Sequence, residues 1–178
     1  MPCAFAQDGE IGIFESNSIL RAVARAGDNI LYGGTDLMFA SRIGSFLDAG
    51  LVFAREAQVY LLEMESPTVT THSRMSSAYA FYLDGIEQSL SQTPYIAGSS
   101  LTLADISFVC DFAQFLREGR YKNQLAAADL TLISEHGQEQ YPLAFDHLLE
   151  LADQPAFQRH LGTYLDWYRA DKQTSASP

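Results

Sequence analysis

Ile11-Gly12-Ile13-Phe14-Glu15-Ser16-Asn17-Ser18-Ile19-Leu20 is the stretch on which the reading of this chain turns. Ile11 and Ile13 alternate around Gly12, as on a strand. Ile19, Leu20 and Val23 then recur at helical spacing. Ser16 stands at the junction and is the expected N-cap of the helix. Gly27 is its expected stop. Upstream, Met1-Pro2-Cys3-Ala4-Phe5 reads as a proline entering a first short strand. Asp8-Gly9 reads as a two-residue hairpin turn between the strands. Residues 1–14 are therefore expected to be β, and 16–26 helical.

Downstream, Asp28-Asn29 and Gly33-Gly34 mark residues 28–34 as a linker. From Thr35 the periodicity is helical almost to the end. Leu37, Ala40, Ile43, Leu47, Leu51, Ala54 and Leu61 trace a long helix that Pro67 ends, with a bend expected near Gly50. Met75, Tyr79, Tyr82, Ile86 and Leu90 trace a second. Leu101 opens a third, running to about Leu116. Residues 117–139 are polar and read as a short helix plus loop. Tyr141-Pro142 starts a fourth helix with an apolar stripe of Leu143, Leu148 and Leu151. Pro155 starts the last, through Leu161, Leu165 and Tyr168. Residues 171–178 form a polar tail expected to be disordered. The expected fold class is mostly α: a short α/β piece over 1–27, then an all-α bundle over 35–170.

Of 178 residues, 47% are hydrophobic, with 11 Phe and 9 Tyr, so a packed core is expected rather than disorder. No apolar run approaches the ~20 residues of a membrane span. Net charge is −11, which repels phosphate backbones and anionic bilayers, so neither nucleic acid nor membrane is an expected partner. Two cysteines far apart in sequence indicate no disulfide framework, which suits the cytoplasm.

Thr102-Leu103-Ala104-Asp105 carries the capping-box spacing. Thr102 is expected to cap the third helix while Asp105 returns to the Thr102 N–H. Leu101 and Ile106 would form the hydrophobic staple. Cys3 is expected to be buried or inert, with neither base nor helix dipole nearby to lower its pKa. Cys110 is expected in the core. His72, His136, His147 and His160 lack ligand spacing, so no metal site is expected. Arg21 and Arg25 share a helix face and are read as exposed. Asp8, Asp84 and Glu87 are read as solvated charges. Tyr32, Phe39, Phe46 and Phe53 suit either a substrate cleft or, more often, a core.

The run Phe14-Glu15-Ser16-Asn17-Ser18-Ile19 resembles the second half of the thioredoxin-like domain of glutathione transferases. Ser100-Leu101-Thr102-Leu103-Ala104-Asp105-Ile106 and Gln154-Pro155-Ala156-Phe157 with Leu161-Gly162 extend the resemblance to the family's helical domain. It implies a truncated thioredoxin-like piece followed by that domain. It implies that the Ser16 hydroxyl and N–H receive the γ-glutamyl carboxylate of glutathione, and Glu15 its ammonium. It implies that Pro2 is cis and that the Met1 backbone pairs with the cysteinyl part. The family's catalytic Ser, Tyr or Cys precedes these elements, so no catalytic residue is assigned within the chain.

The function so implied is glutathione binding and, in a complete form, attack of its thiolate on a hydrophobic electrophile. Glutathione is substrate rather than cofactor, no other cofactor is expected, and a homodimer is implied. The alternative is a non-catalytic protein-interaction module, like the transferase-like region of translation elongation factor 1 gamma.

Overall fold

The computed structural model describes residues 3–5 and 9–175. Met1, Pro2, Asp8 and residues 176–178 lie outside the described residues, and with them the cis-proline and Met1 expectations. Strands β1 (Cys3–Phe5) and β2 (Gly12–Phe14) pair antiparallel, with Cys3 opposite Phe14, Ala4 opposite Ile13 and Phe5 opposite Gly12. The two-residue turn read from Asp8-Gly9 falls with Asp8 outside the described residues. Helix α1 (Ser16–Ala26) follows directly.

Residues 28–34 are more ordered than a linker. Asp28 accepts from the Ile30 N–H at 3.1 Å and caps a 3₁₀ turn, Asn29–Tyr32. The turn ends at Gly33, with φ +84°. A Cβ at Gly33 would lie 2.6 Å from the Ala40 backbone nitrogen, so only glycine lets the turn seat against the next helix.

That helix, α2 (Leu37–Leu62), begins at an Asp36 cap whose carboxylate accepts from the Met38 and Phe39 N–H groups, both at 2.9 Å. It is a continuous helix of 26 residues through Gly50, long and apolar enough to cross a bilayer by composition. In this fold it packs between α3 (Val69–Leu90) and α4 (Leu103–Phe115). Its apolar residues serve that packing: Ile43, Leu47, Phe53 and Tyr60 are buried. Thr68 caps α3.

The core is aromatic. Phe53 stacks on Tyr82 at 5.0 Å between ring centroids, and Phe112 meets Phe145 edge-on at 5.0 Å. Burying each such side chain stabilises the fold by ~1.5–3 kcal/mol. Phe145 comes from α7 (Pro142–Ala152), which with α8 (Pro155–Ser175) closes the bundle. α8 therefore extends through Ser175, into the segment read as a tail.

Two buried carboxylates tie the bundle together. Asp105 is fully buried. Its Oδ2 accepts from the Thr102 N–H at 2.8 Å and hydroxyl at 2.9 Å, completing the capping box at the start of α4. Its Oδ1 accepts from the Ile96 N–H and faces His147 Nε2 on α7, both at 2.9 Å. Leu101 and Ile106 pack against the core on either side of the cap.

Glu118, also fully buried, organises the polar stretch 117–139. That stretch holds a 3₁₀ turn (Leu116–Tyr121) and two short helices, α5 (Lys122–Ala127) and α6 (Gly137–Gln140). Glu118 accepts from the Tyr60 hydroxyl at 3.0 Å, the Ile133 N–H at 3.2 Å, and the Ser134 N–H and hydroxyl at 2.7 and 2.6 Å. Burial pushes its carboxyl up; these four donors pull the other way.

Glu87 is not merely solvated. It accepts from the Leu143 and Ala144 N–H groups at 3.1 and 2.9 Å, capping α7 from a neighbouring helix. The inward residues of α7 are Ala144, Phe145, Leu148 and Leu151, while Leu143 is largely exposed. Leu148 and Leu151 face inward as expected, and Ala144 and Phe145 complete the stripe in place of Leu143.

Candidate functional site

The β2–α1 junction differs from a simple serine cap. Glu15, not Ser16, is the capping residue, and its side chain makes no cap hydrogen bond. Ser16 is already the first helical residue, one position too late to bond its own first turn. Glu15 adopts φ +69°, ψ +135°, a conformation costing a non-glycine residue ~1–3 kcal/mol. The α1 N-terminus is thus left without a side-chain cap. Its first N–H groups and the positive end of its dipole face outward.

Three contacts hold this end in place. Asn17, buried directly after Ser16, donates from Nδ2 to the Leu47 carbonyl of α2 at 2.7 Å. Arg21, one turn on, pairs with Asp48 at 2.6 Å. Arg55 of α2 reaches the Glu15 carboxylate at 3.1 Å. Arg21 is thus committed to an ion pair, and the Arg25 guanidinium lies 5.0 Å from the centroid of the Tyr32 ring.

Two clefts meet at Ser16. A polar one of about 440 Å³ is lined by Glu15, Ser16, Arg55, Gln58 and Gln114, over Leu51 and Ala54. An apolar one of about 350 Å³ lies between α1, α2 and α4. Its wall includes Ile19, Leu20, Leu51, Ala54 and Ile106. Ser16, Leu51 and Ala54 line both.

Cys110 and Asp111 of α4 line the apolar cleft. Cys110 is exposed rather than in the core, because it stands on the flank of α4 that faces α1. Desolvation by the cleft wall, and the adjacent Asp111 carboxylate, push its thiol up. That is the opposite of what an attacking thiolate needs. Cys3 is exposed as well, since a two-stranded sheet leaves its outer positions uncovered. Burial raises Asp111 to about 6, against its hydrogen bond from Ser107 at 3.1 Å.

No sequence-family model matches the chain, and no curated protein matches it. Solved structures do. A glutathione S-transferase from Rhodospirillum rubrum F11 superposes with TM-score 0.64 at 17% identity, over 88% of this chain and 68% of that one. Glutathione transferase F7 from Populus trichocarpa gives TM-score 0.63 at 18% identity, over 93% and 75%. Glutathione transferase YghU from Streptococcus pneumoniae ATCC 700669, solved in complex with glutathione, gives TM-score 0.66 at 20% identity, over 90% and 60%.

The fold is that of a glutathione S-transferase. Within this transferase fold, Glu15 and Ser16 stand together at a cleft, while Thr102 and Asp105 are buried at the start of α4. Of the four aromatics weighed for a cleft, Phe53 is core, and Tyr32, Phe39 and Phe46 pack against the core without lining either cleft.

Arg55, Gln58, Gln114 and Asp111 were not singled out by sequence. Arg55 and Gln58 flank the apolar stripe of α2 at Ala54, a boundary position where a polar residue faces whatever the stripe leaves uncovered. Asp111 is the one charged residue between Ile106 and Phe115, and that lone charge is the signal for it. Among the described residues no cluster of His, Cys, Asp and Glu is arranged to hold a metal.

Proposed function

We propose that this chain binds glutathione at the N-terminus of α1 and serves a glutathione transferase reaction on an apolar electrophile. The observation that carries the reading is Ser16, exposed at an uncapped helix start and shared by a polar and an apolar cleft. The polar cleft suits the tripeptide. Its γ-glutamyl carboxylate meets the α1 N–H groups and the Ser16 hydroxyl, as an anion does at a helix N-terminus. Glu15 receives the ammonium as a carboxylate acceptor. The apolar cleft then holds the electrophile beside the bound thiol. This chain's residues bind and orient; the group that stabilises the thiolate is not assigned among them.

Two copies are proposed to pair through the outer faces of α2 and α3. Arg74 bridges to Glu56 between these helices at 2.6 Å, and Val52 and Phe81 are exposed nearby along the same helices. Apolar side chains at such a face gain by being covered.

Isothermal titration of glutathione into the intact chain tests the reading. Micromolar to millimolar binding, weakened in Ser16→Ala by ~1–3 kcal/mol through loss of a hydrogen bond to a charged group, is the expected result. Equal affinity in wild type and Ser16→Ala would place the tripeptide elsewhere. No detectable binding would remove the reading.

A further inference from the structure

The apolar cleft holds a single charged side chain. Ile19 and Leu20 of α1, Leu51 and Ala54 of α2, and Ile106 of α4 make its wall. Asp111 stands at the α4 side, with its Oδ2 receiving the Ser107 hydroxyl at 3.1 Å. The lining includes neither lysine nor arginine. Two arginines at neighbouring positions are engaged elsewhere: Arg55 pairs with Glu15 at the adjoining polar cleft, and Arg21 pairs with Asp48.

In a wall of low polarity, a charge is screened less than in open water. Like charge beside an unpaired carboxylate is strongly disfavoured, and a hydrogen-bond donor or cation there is favoured. An apolar cleft with one carboxylate at its edge therefore sorts ligands by charge as well as by greasiness.

We propose that this cleft takes an apolar molecule that is neutral or carries a donor or cationic group directed at Asp111, and that it excludes apolar anions. This rests on the transferase reading only for the role of the cleft as the second-substrate site. The charge asymmetry is set on the α4 side by Asp111, against the opposing anion preference of the α1 N-terminus at the Ser16 end. Electrophiles bearing a carboxylate or sulfonate are accordingly poor ligands, and uncharged or amine-bearing ones are good.

A matched pair of fluorescent probes tests it: N-phenyl-1-naphthylamine, which is neutral, and 8-anilinonaphthalene-1-sulfonate, the same ring system with an anion. The intact chain at neutral pH should bind the neutral probe about tenfold or more tightly than the sulfonate. Asp111→Asn, verified as folded by circular dichroism, should close most of that gap. Asp111→Ser makes the same test if Asp111→Asn fails to fold, and Cys110→Lys, at an exposed position of the same wall, should raise sulfonate affinity. Ala54→Trp, which fills the cleft, should weaken both probes.

An unchanged ratio of the two affinities in the folded Asp111→Asn variant would overturn the proposal, as would undiminished binding in Ala54→Trp. Glutathione titration is run separately on each variant. Loss of glutathione binding with probe selection intact removes the transferase reading and leaves the charge filter. Glutathione binding without probe selection does the reverse.

Discussion

Arg55 of α2 grips the carboxylate of Glu15 at 3.1 Å, across forty residues of sequence, and so closes the rim of the polar cleft with the residue proposed to receive the ammonium of glutathione. The Arg55 side chain is 63% exposed and that of Glu15 32% exposed, so the pair contributes at most ~1 kcal/mol to stability. Arg55→Ala should leave the melting temperature nearly unchanged. Glu15→Gln, which removes the acceptor charge, should weaken glutathione by about tenfold, the value of one charge-assisted contact. Calorimetry on both variants checks this. Full affinity in Glu15→Gln would mean that Glu15 serves Arg55 and nothing else.

Asp105 serves more donors than Thr102 and should matter more. Asp105→Ala strands the Ile96 and Thr102 N–H groups in the interior and leaves His147 without its acceptor. That should cost ~3–5 kcal/mol, the range for breaking a buried charged network. Thr102→Ala loses the cap and one hydroxyl donor to Asp105, at ~1–2 kcal/mol. Urea unfolding midpoints give the order directly, and a smaller loss for Asp105→Ala than for Thr102→Ala would contradict it.

Glu118 offers two acceptor oxygens to four donors, which an amide cannot match. Glu118→Gln points an NH₂ group at either the Ile133 or the Ser134 N–H. The expected loss is ~1–3 kcal/mol. Hydrogen exchange at those two amides should speed up more than elsewhere in the bundle. Uniform exchange across the chain would show that the segment does not depend on Glu118.

Asp111 gives a pH dependence of definite sign. Its folded value, about 6, lies above the ordinary 3.8. Between those values the folded state holds a proton that the unfolded chain has released, so this group's contribution falls as pH rises through the window. Asp111→Asn removes that slope. Its stability relative to wild type should therefore improve from pH 4 to pH 7 and level off above. Denaturation series at several pH values measure it, and a relative loss at higher pH would refute the burial argument.

The helices were legible because their residues repeat locally. Met75, Tyr79, Tyr82 and Ile86 announce α3, and Thr102 with Asp105 announces the start of α4. What stayed hidden is settled by partners remote in sequence. Glu87 reads as a surface charge until α7, more than fifty residues on, offers two N–H groups. Glu118 reads as part of a polar loop until that loop folds back over it. The serine read as a cap proved to be the first helical residue, since a cap and a first-turn residue differ by one position that spacing cannot resolve. Cys110 was placed inside because α4 is mostly buried, yet a core helix still has one flank on a cleft.

Asn17 holds the start of α1 to the Leu47 carbonyl, and Ala24 is buried in the common core. Mechanically, then, the first helix belongs to the bundle as well as to the β-hairpin it follows, since it touches both strands as well as α2 and α4. Ser16, Leu51 and Ala54 line both clefts, so any displacement of α1 against α2 would reshape the two together.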